Sequence, residues 1–198
     1  MMIRFATTAA ALAGVTMLAN AGTVYNDSTS FLADIGSNYF VNDFSTVSAG
    51  STADINAAYN SFSYTIGADS TNLYNGAGFV SLTDANDAIE VTFTGSAVNV
   101  IGGNFWATDI NFNPVATDIT ILLSDGTSTT FTTSGPTDFR GFTSSVAIST
   151  LLISTADGAS FASLDNLYVG IVPLPTAAWA GLGLLGVMGG VRVTRRRA

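Results

Sequence analysis

Histidine and cysteine, which many enzymes use as base, nucleophile or zinc ligand, are both absent from the 198 residues. The sequence therefore excludes Ser-His-Asp catalysis, thiol catalysis and the usual zinc sites. Thirteen aspartates and one glutamate remain, and glycoside hydrolysis requires only two carboxylates. Their spacing does not show which of them converge. We therefore expect a protein that is not an enzyme, with a secreted glycoside hydrolase as the alternative.

One polar segment has the spacing of a calcium loop. Asp109, Asn111 and Asn113 follow the D-x-N-x-N pattern. Pro114 and Thr120 stand where an EF-hand requires glycine and a bidentate glutamate, so an EF-hand is excluded. A looser oxygen site and a plain polar loop both remain open, and the plain loop is the preferred interpretation.

Aromatic side chains give a second kind of chemistry, because their rings can stack on sugar rings. Trp106 is the first candidate for such ligand stacking, and the tyrosines considered with it are Tyr39, Tyr59, Tyr64 and Tyr74. On strands, aromatic residues more often belong to the core. The sequence leaves both roles open for each of these five residues.

The C-terminus has the pattern of a membrane-spanning segment. No charged residue occurs between 171 and 191, and a bilayer core of about 30 Å needs about 20 apolar residues as a helix. We predict a transmembrane helix whose flanking arginines stay cytoplasmic and stop transfer. A plain tail anchor is the alternative. These arginines are Arg192, Arg195, Arg196 and Arg197.

The N-terminus has the pattern of a secretory signal peptide. A short basic start that contains Arg4 precedes an apolar, alanine-rich stretch, and Ala19 and Ala21 form an A-x-A cleavage site. We predict a signal helix over residues 1–21, which signal peptidase removes. The mature chain then begins at Gly22.

The body between these segments, residues 22–170, is strongly acidic. Arg140 is its one basic residue, and it contains all fourteen acids, so its formal charge is −13. Such a surface repels nucleic acid and anionic lipid, and we expect no nucleic-acid partner. About 150 residues suffice for one domain with a proper core.

Alternating apolar and polar residues predict strands through most of the body. Strands at this spacing, with turn residues between them, indicate an all-β fold: an antiparallel two-sheet β-sandwich. Residues 29–35 and 53–60 are the two segments that could be helical. The predicted strands are residues 39–44, 61–66, 78–82, 89–94, 98–107, 119–123, 127–133, 148–153 and 161–169, with a bulge or close-packing point at Gly102 and Gly103.

The turn after residue 123 can be predicted in detail. A two-residue loop would place Phe131 opposite Thr120, away from the apolar face of its neighbour. A three-residue loop with Gly126 in the left-handed region places Phe131 opposite Ile119, on the apolar face. We therefore predict the longer loop.

The two ends of the body should meet, since a domain without disulfides must tie down its end strands. We predict that residues 41–44 pair near residues 164–169. Asp43 and Asp165 would then approach each other, and a structural calcium ion would relieve their repulsion. The alternative is that both carboxylates serve only as caps or backbone acceptors.

The C-terminal motif Val172-Pro173-Leu174-Pro175, followed by the glycine-rich apolar run and the arginine cluster, resembles a PEP-CTERM-type sorting signal of the Val-Pro-Leu-Pro-Ala variant. Thr176 stands where that variant usually has alanine. The resemblance covers residues 172–197. It implies handling by an exosortase-type membrane protease in an exopolysaccharide-producing Gram-negative bacterium. The chain would be anchored transiently in the inner membrane and would then reach the cell surface or the medium.

The body resembles the jelly-roll ectodomains that often carry this signal. The segments that carry this resemblance are residues 102–109, 123–127 and 164–167. In similar carbohydrate-binding jelly rolls, an acid at the position of Asp165 can hold a structural calcium ion. The domains expected are a signal peptide (1–21), a β-sandwich ectodomain (22–170) and a sorting signal (171–198).

We therefore expect an exported, non-catalytic surface or matrix protein that is associated with exopolysaccharide. A carbohydrate-binding module and a secreted hydrolase are the alternatives. Exposed aromatic rings in a groove would favour the first alternative, and two carboxylates about 5–9 Å apart in a cleft would favour the second.

Overall fold

A computed structural model describes residues 22–76 and 78–172. Two antiparallel β-sheets and one short helix make up this part of the chain, which confirms the predicted antiparallel two-sheet β-sandwich. Within the described ranges, no helix is long and apolar enough to cross a membrane. The predicted signal helix and transmembrane helix lie outside the described residues.

The first sheet has nine strands, and seven of them form its main path. In spatial order these are β1 (Thr23–Tyr25), β13 (Phe139–Ile148), β9 (Val98–Thr108), β15 (Phe161–Gly170), β7 (Val80–Leu82), β6 (Leu73–Asn75) and β3 (Gly50–Thr52). In addition, β2 (Tyr39–Asn42) pairs with β15, and β10 (Pro114–Val115) pairs with β9.

The second sheet has six strands. In spatial order these are β12 (Ser128–Thr132), β11 (Asp118–Leu123), β14 (Thr150–Thr155), β8 (Ala88–Phe93), β5 (Phe62–Ala68) and β4 (Asp54–Tyr59). On β11, Ile119 and Ile121 are fully buried, whereas Asp118 before them is exposed and Leu122 after them is 44% exposed. This alternation shows that one face of the sheet covers the core and the other meets solvent.

The hairpin between β11 and β12 has the predicted register. Phe131 pairs with Ile119, and the loop is residues 124–126. Gly126 has a φ of 90°, in the region that favours glycine, and its N–H donates to the carbonyl of Leu123 at 3.0 Å. The three-residue loop is therefore confirmed.

The predicted closure of the domain is also confirmed. Strand β2 pairs with β15, with Val41 opposite Tyr168 and Asn42 opposite Leu167. Beside it, β15 bulges against β9: Asp165 pairs with Asn104 and Tyr168 with Gly102, so two residues of β15 oppose Gly103. The irregularity predicted at the two glycines is therefore present, but the extra residue is on β15 and not on β9.

Helix α1 (Ser28–Ile35) covers the outer face of the first sheet. It begins at its cap Asp27, whose carboxylate accepts the N–H of Ser30 at 2.8 Å. Its Phe31 is fully buried over two glycines of the sheet: a Cβ on Gly102 or Gly141 would lie 2.8 or 2.4 Å from its ring. The helix predicted over residues 29–35 is thus confirmed.

The second predicted helix, over residues 53–60, is wrong, because this segment forms strand β4. Ile55 points into the core and pairs with Ile66, while Asp54 and Asn56 on either side are exposed. A period of two is present, but Ala57 and Ala58 make it weak, since alanine suits a helix better than a strand. Its hydrogen-bonded pairing with β5 makes this segment a strand rather than a helix.

Candidate functional site

A groove of about 260 Å³ lies where the loop after β9 folds back beside β6 and β7. Strands β6, β7 and β15 supply its walls, and loop 109–113 supplies its outer rim. Its lining is mainly apolar, with one carboxylate and two side chains that carry a hydroxyl group. The lining residues are Tyr74, Leu82, Thr83, Asp109, Ile110, Phe112 and Phe161.

An aromatic pair dominates this groove. The rings of Tyr74 and Phe112 are stacked, with centroids 4.3 Å apart and planes 21° from parallel. Phe79 contacts Phe112 edge-on at 5.9 Å. Ile110 on the loop is 71% exposed. The rim therefore presents apolar side chains to solvent.

The shape of the rim depends on Asp109. Its Oδ1 accepts the backbone N–H groups of Asn111 at 2.8 Å and Asn113 at 2.9 Å, and its Oδ2 accepts from Asn113 Nδ2 at 3.0 Å. The side chain of Asn113 and then these backbone groups hold the pKa of Asp109 below its ordinary value. Phe112 has a φ of 62°, which aims its ring at Tyr74. The plain polar loop preferred from the sequence and the looser oxygen site both stay predictions.

Hydroxyl groups fix the strands next to the groove. Ser163 on β15 donates to Ser81 on β7 at 3.0 Å, and Ser81 donates to the carbonyl of Ala162 at 3.2 Å. Both serines are fully buried. The groove therefore lies on elements whose positions are set by strand pairing and by these internal hydrogen bonds.

Trp106, the first candidate for sugar stacking, is 4% exposed. Its indole ring contacts Phe79, with centroids 5.5 Å apart and planes at 55°. This position agrees with the core role that the sequence left open. Trp106 thus supports the groove from behind through Phe79, and ligand stacking by Trp106 itself stays a prediction.

The four tyrosines considered with Trp106 have different surroundings. Tyr64 is 2% exposed, and its hydroxyl accepts from Asn42 Nδ2 at 3.0 Å. Burial raises the pKa of Tyr64 to about 12, although this hydrogen bond lowers it. Tyr39 contacts Tyr168, and Tyr59 is stacked on Phe40 at 4.4 Å. Tyr74 is the one of the four that lines the groove.

Asp43 and Asp165 are brought near each other by the β2–β15 pairing. Burial raises the pKa of the Asp165 carboxyl, the Asn166 N–H lowers it, and the charge of Asp43 raises it further, with a net upward shift. Each carboxylate has local partners: Asp43 accepts from Ser45, and Asp165 accepts from Asn166. Across residues 22–76 and 78–172, no group of three or more acids, histidines or cysteines could hold a metal ion. Calcium binding stays a prediction.

Of the predicted processing residues, Val172 alone is described. Its N–H donates to Asn99 Oδ1 at 2.8 Å, and its carbonyl accepts from Asn99 Nδ2 at 3.1 Å. The others lie outside the described residues. They are the cleavage-site residues Ala19 and Ala21, the motif residues Pro173, Leu174 and Pro175, and the membrane-stop arginines Arg192, Arg195, Arg196 and Arg197.

Several groove residues were not singled out from the sequence, chiefly Phe112, Ile110 and Phe161. One signal was available. Ile110 and Phe112 alternate with polar residues inside a loop, where no second strand is predicted to cover them. Apolar side chains at such positions need another partner, and here Tyr74 from a distant strand supplies it.

Comparison with models of known protein families gives no match for this chain. A comparison with curated proteins likewise finds no significant similarity.

Proposed function

We propose that the chain is an exported, non-catalytic protein of the cell surface or extracellular matrix, delivered by a PEP-CTERM-type sorting signal and associated with exopolysaccharide. The observation that supports this proposal most is the position at which the last strand of the sandwich ends. This strand, β15, stops at Gly170, two residues before the motif that begins with Val172. The last strand of the sandwich therefore ends before the proposed motif begins.

The contacts at this boundary support the same division. Ile171 and Asn38 exchange two hydrogen bonds, each of 3.2 Å, and Val172 and Asn99 exchange another two. These bonds fasten the last two described residues to the sandwich. A protease that cuts after Val172 would leave every one of them in place.

The proposed sequence of events follows the two ends of the chain. Signal peptidase removes residues 1–21 with their signal helix, and the C-terminal transmembrane helix holds the chain in the inner membrane with its arginines in the cytoplasm. An exosortase-type protease then cuts near the proline motif, and the jelly-roll-like ectodomain reaches the surface or the medium.

A fractionation experiment tests this proposal. In a producing strain, the wild-type chain should accumulate in the surface or extracellular fraction without its C-terminal segment, whereas Pro173→Ala should accumulate uncut in the membrane. Pro136→Ala, which changes a proline inside the body, is the matched control and should behave as wild type. Equal surface delivery of wild type and Pro173→Ala would refute sorting through this motif.

The groove favours a second, compatible function, which is carbohydrate binding. Its rings can contact the apolar faces of a sugar, and Asp109 and Thr83 can bond to sugar hydroxyl groups. The body carries a formal charge of −13, so it repels anionic polymers. We therefore propose a neutral saccharide segment as the ligand.

Affinity electrophoresis through gels that contain purified exopolysaccharide tests this second function. Tyr74→Ala should weaken retardation about tenfold, which corresponds to about 1.4 kcal/mol. Tyr59→Ala is the control, because Tyr59 is 48% exposed and stacks on Phe40 rather than lining the groove. Equal retardation of all three proteins would exclude the groove as the binding site.

The non-catalytic part of the proposal rests on the composition of the groove. Asp109 is the one acid among its lining residues, and its carboxylate already accepts hydrogen bonds from two backbone groups and from Asn113. A glycoside hydrolase needs two carboxylates on opposite sides of the bond that it cleaves. The groove supports binding better than hydrolysis.

A further inference from the structure

One carboxylate oxygen in the loop between β11 and β12 has no hydrogen-bond donor in the part of the chain that the structure describes. Oδ2 of Asp125 is buried and accepts no hydrogen bond from residues 22–76 or 78–172. The other oxygen, Oδ1, accepts the N–H of Thr127 at 2.8 Å, so the side chain is held in place. A buried carboxylate oxygen without a donor lowers the stability of the fold, and a positive or hydrogen-bond-donating group beside it would offset this cost.

The chain segment beside this oxygen is the beginning of the described domain. The nitrogen of Gly22 donates to Thr127 Oγ1 at 3.0 Å, and Thr127 is 6% exposed. A Cβ on Gly22 would stand 3.5 Å from Asp125 Oδ2, 2.9 Å from Thr127 Oγ1 and 2.6 Å from the carbonyl of Thr143. Three oxygens therefore surround the start of β1, and only a residue without a side chain fits there.

In the precursor, the Gly22 nitrogen is an ordinary amide with one N–H, and that N–H is already used by Thr127. Cleavage after Ala21 converts the nitrogen into an ammonium group with three N–H donors and a positive charge. Two further donors then become available beside the Asp125 carboxylate, whose Oδ2 has no donor among the described residues. This carboxylate is negatively charged.

We infer that Asp125 is the counter-ion of the α-ammonium group that signal-peptide removal creates at Gly22, so that processing itself completes the fold at β1. This inference rests on the export step of the proposed function. The pairing also fits the charge of the body, where Arg140 is the one other basic group against fourteen acids. The new N-terminus would fasten β1 to the β11–β12 loop in the facing sheet.

Four proteins test the inference. Wild type and Asp125→Asn are each produced in a processed form and in a precursor form, the latter made with Ala19→Leu to block the cleavage site. The host has signal peptidase but no exosortase-type protease, so all four retain residues 171–198. N-terminal sequencing verifies each start, and thermal unfolding in detergent gives each Tm.

Asparagine at position 125 keeps an acceptor for Thr127 but removes the negative charge. Asp125→Asn should lower the Tm of the processed protein by about 3 °C or more and should change the precursor by less than about 1 °C. Asp118→Asn is the matched control on the neighbouring strand. Its carboxylate accepts a hydrogen bond from Thr132 and is not among the groups nearest Gly22, so its effect should be equal in both forms.

A second measurement does not depend on stability. The Gly22 amine of the processed wild type should react with an acylating reagent roughly tenfold more slowly than that of Asp125→Asn, because a paired ammonium gives up its proton less readily. The ion pair would be contradicted if Asp125→Asn changed the Tm equally in the processed and precursor forms and if the amine reacted equally fast in wild type and Asp125→Asn. If the processed protein nevertheless starts at Gly22, the export proposal would stand. A processed chain that starts at another residue would overturn both.

Discussion

Replacing Gly141 by alanine tests how helix α1 is held on the first sheet. The added Cβ would lie 2.4 Å from Cδ2 of Phe31, 2.7 Å from Cγ and 2.9 Å from Cε2. Ordinary contacts between carbon atoms are about 3.5–4.0 Å, so the ring would have to move by about 1 Å. Phe31 is fully buried between Tyr25, Phe139 and Tyr168, and it has no free space to enter.

Overpacking of this kind costs about 1–3 kcal/mol. For a body of this size, each kcal/mol lowers the Tm by about 2–4 °C, so Gly141→Ala should lower it by about 2–12 °C. Without the clash, alanine in a strand would be the more stable choice, because glycine loses more conformational freedom on folding. A fall in Tm therefore reports the contact with Phe31.

Thermal unfolding by circular dichroism measures the effect. Gly135→Ala is the matched control, since no atom lies within 4 Å of the Cβ that it would add. Phe31→Leu removes most of the ring, and Gly141→Ala should cost clearly less in that background than in the wild type. Equal Tm values for Gly141→Ala and Gly135→Ala would show that the ring does not rest on this glycine.

Three further predictions concern titratable groups. Burial raises the pKa of Asp87, but hydrogen bonds from Thr71, Ala88 and Ser70 more than offset this, so the pKa is lowered on balance. The stability that Asp87 contributes should therefore be fully present above its unfolded pKa of about 3.9 and should be lost as the pH falls through its folded pKa. Asp87→Asn should make the fall of the Tm at acid pH less steep. Millimolar calcium should raise the Tm, and a chelator should reverse the rise. Asp165→Ala should abolish the shift. A melting curve of the wild type that calcium leaves unchanged would contradict the predicted calcium site. Finally, absorbance titration should show a tyrosine with a pKa of about 12 that disappears in Tyr64→Phe; a titration curve that Tyr64→Phe leaves unaltered would contradict the burial of this hydroxyl.

The parts of the fold that could be predicted depend on local alternation. Ile119, Ile121 and Phe131 repeat with a period of two, and only one loop length places all three on one face. The pairing of β2 with β15 could be predicted because both end segments carry apolar residues that need cover. Such patterns are sufficient to predict strands and their register where the side chains of the strands themselves form the core.

Strand β13 was missed because its pattern is interrupted. Phe139, Phe142 and Ile148 are buried, but Gly141 and the exposed residues near Val146 break the alternation between them. Gly141 is buried by a side chain from helix α1, which the sequence of β13 does not contain. The strand is therefore defined by its neighbours, β1 and β9, more than by its own residues.

The groove could be predicted only in part for a similar reason. Tyr74 was a candidate, but no feature of the sequence distinguished it from the other four aromatic residues considered for ligand stacking. Its position beside Phe112 depends on the positive φ of that residue and on the hydrogen bonds of Asp109. Contacts between segments more than thirty positions apart leave no trace in local periodicity.

The intact mass of the protein recovered from the cell surface or the medium tests the sorting proposal most directly, because one number reports both ends of the chain. The proposal predicts a mass that corresponds to a chain starting at Gly22 and ending between Val172 and Trp179. A mass that includes the terminal arginines and extends to Ala198 would contradict it and would make residues 171–198 a plain membrane anchor.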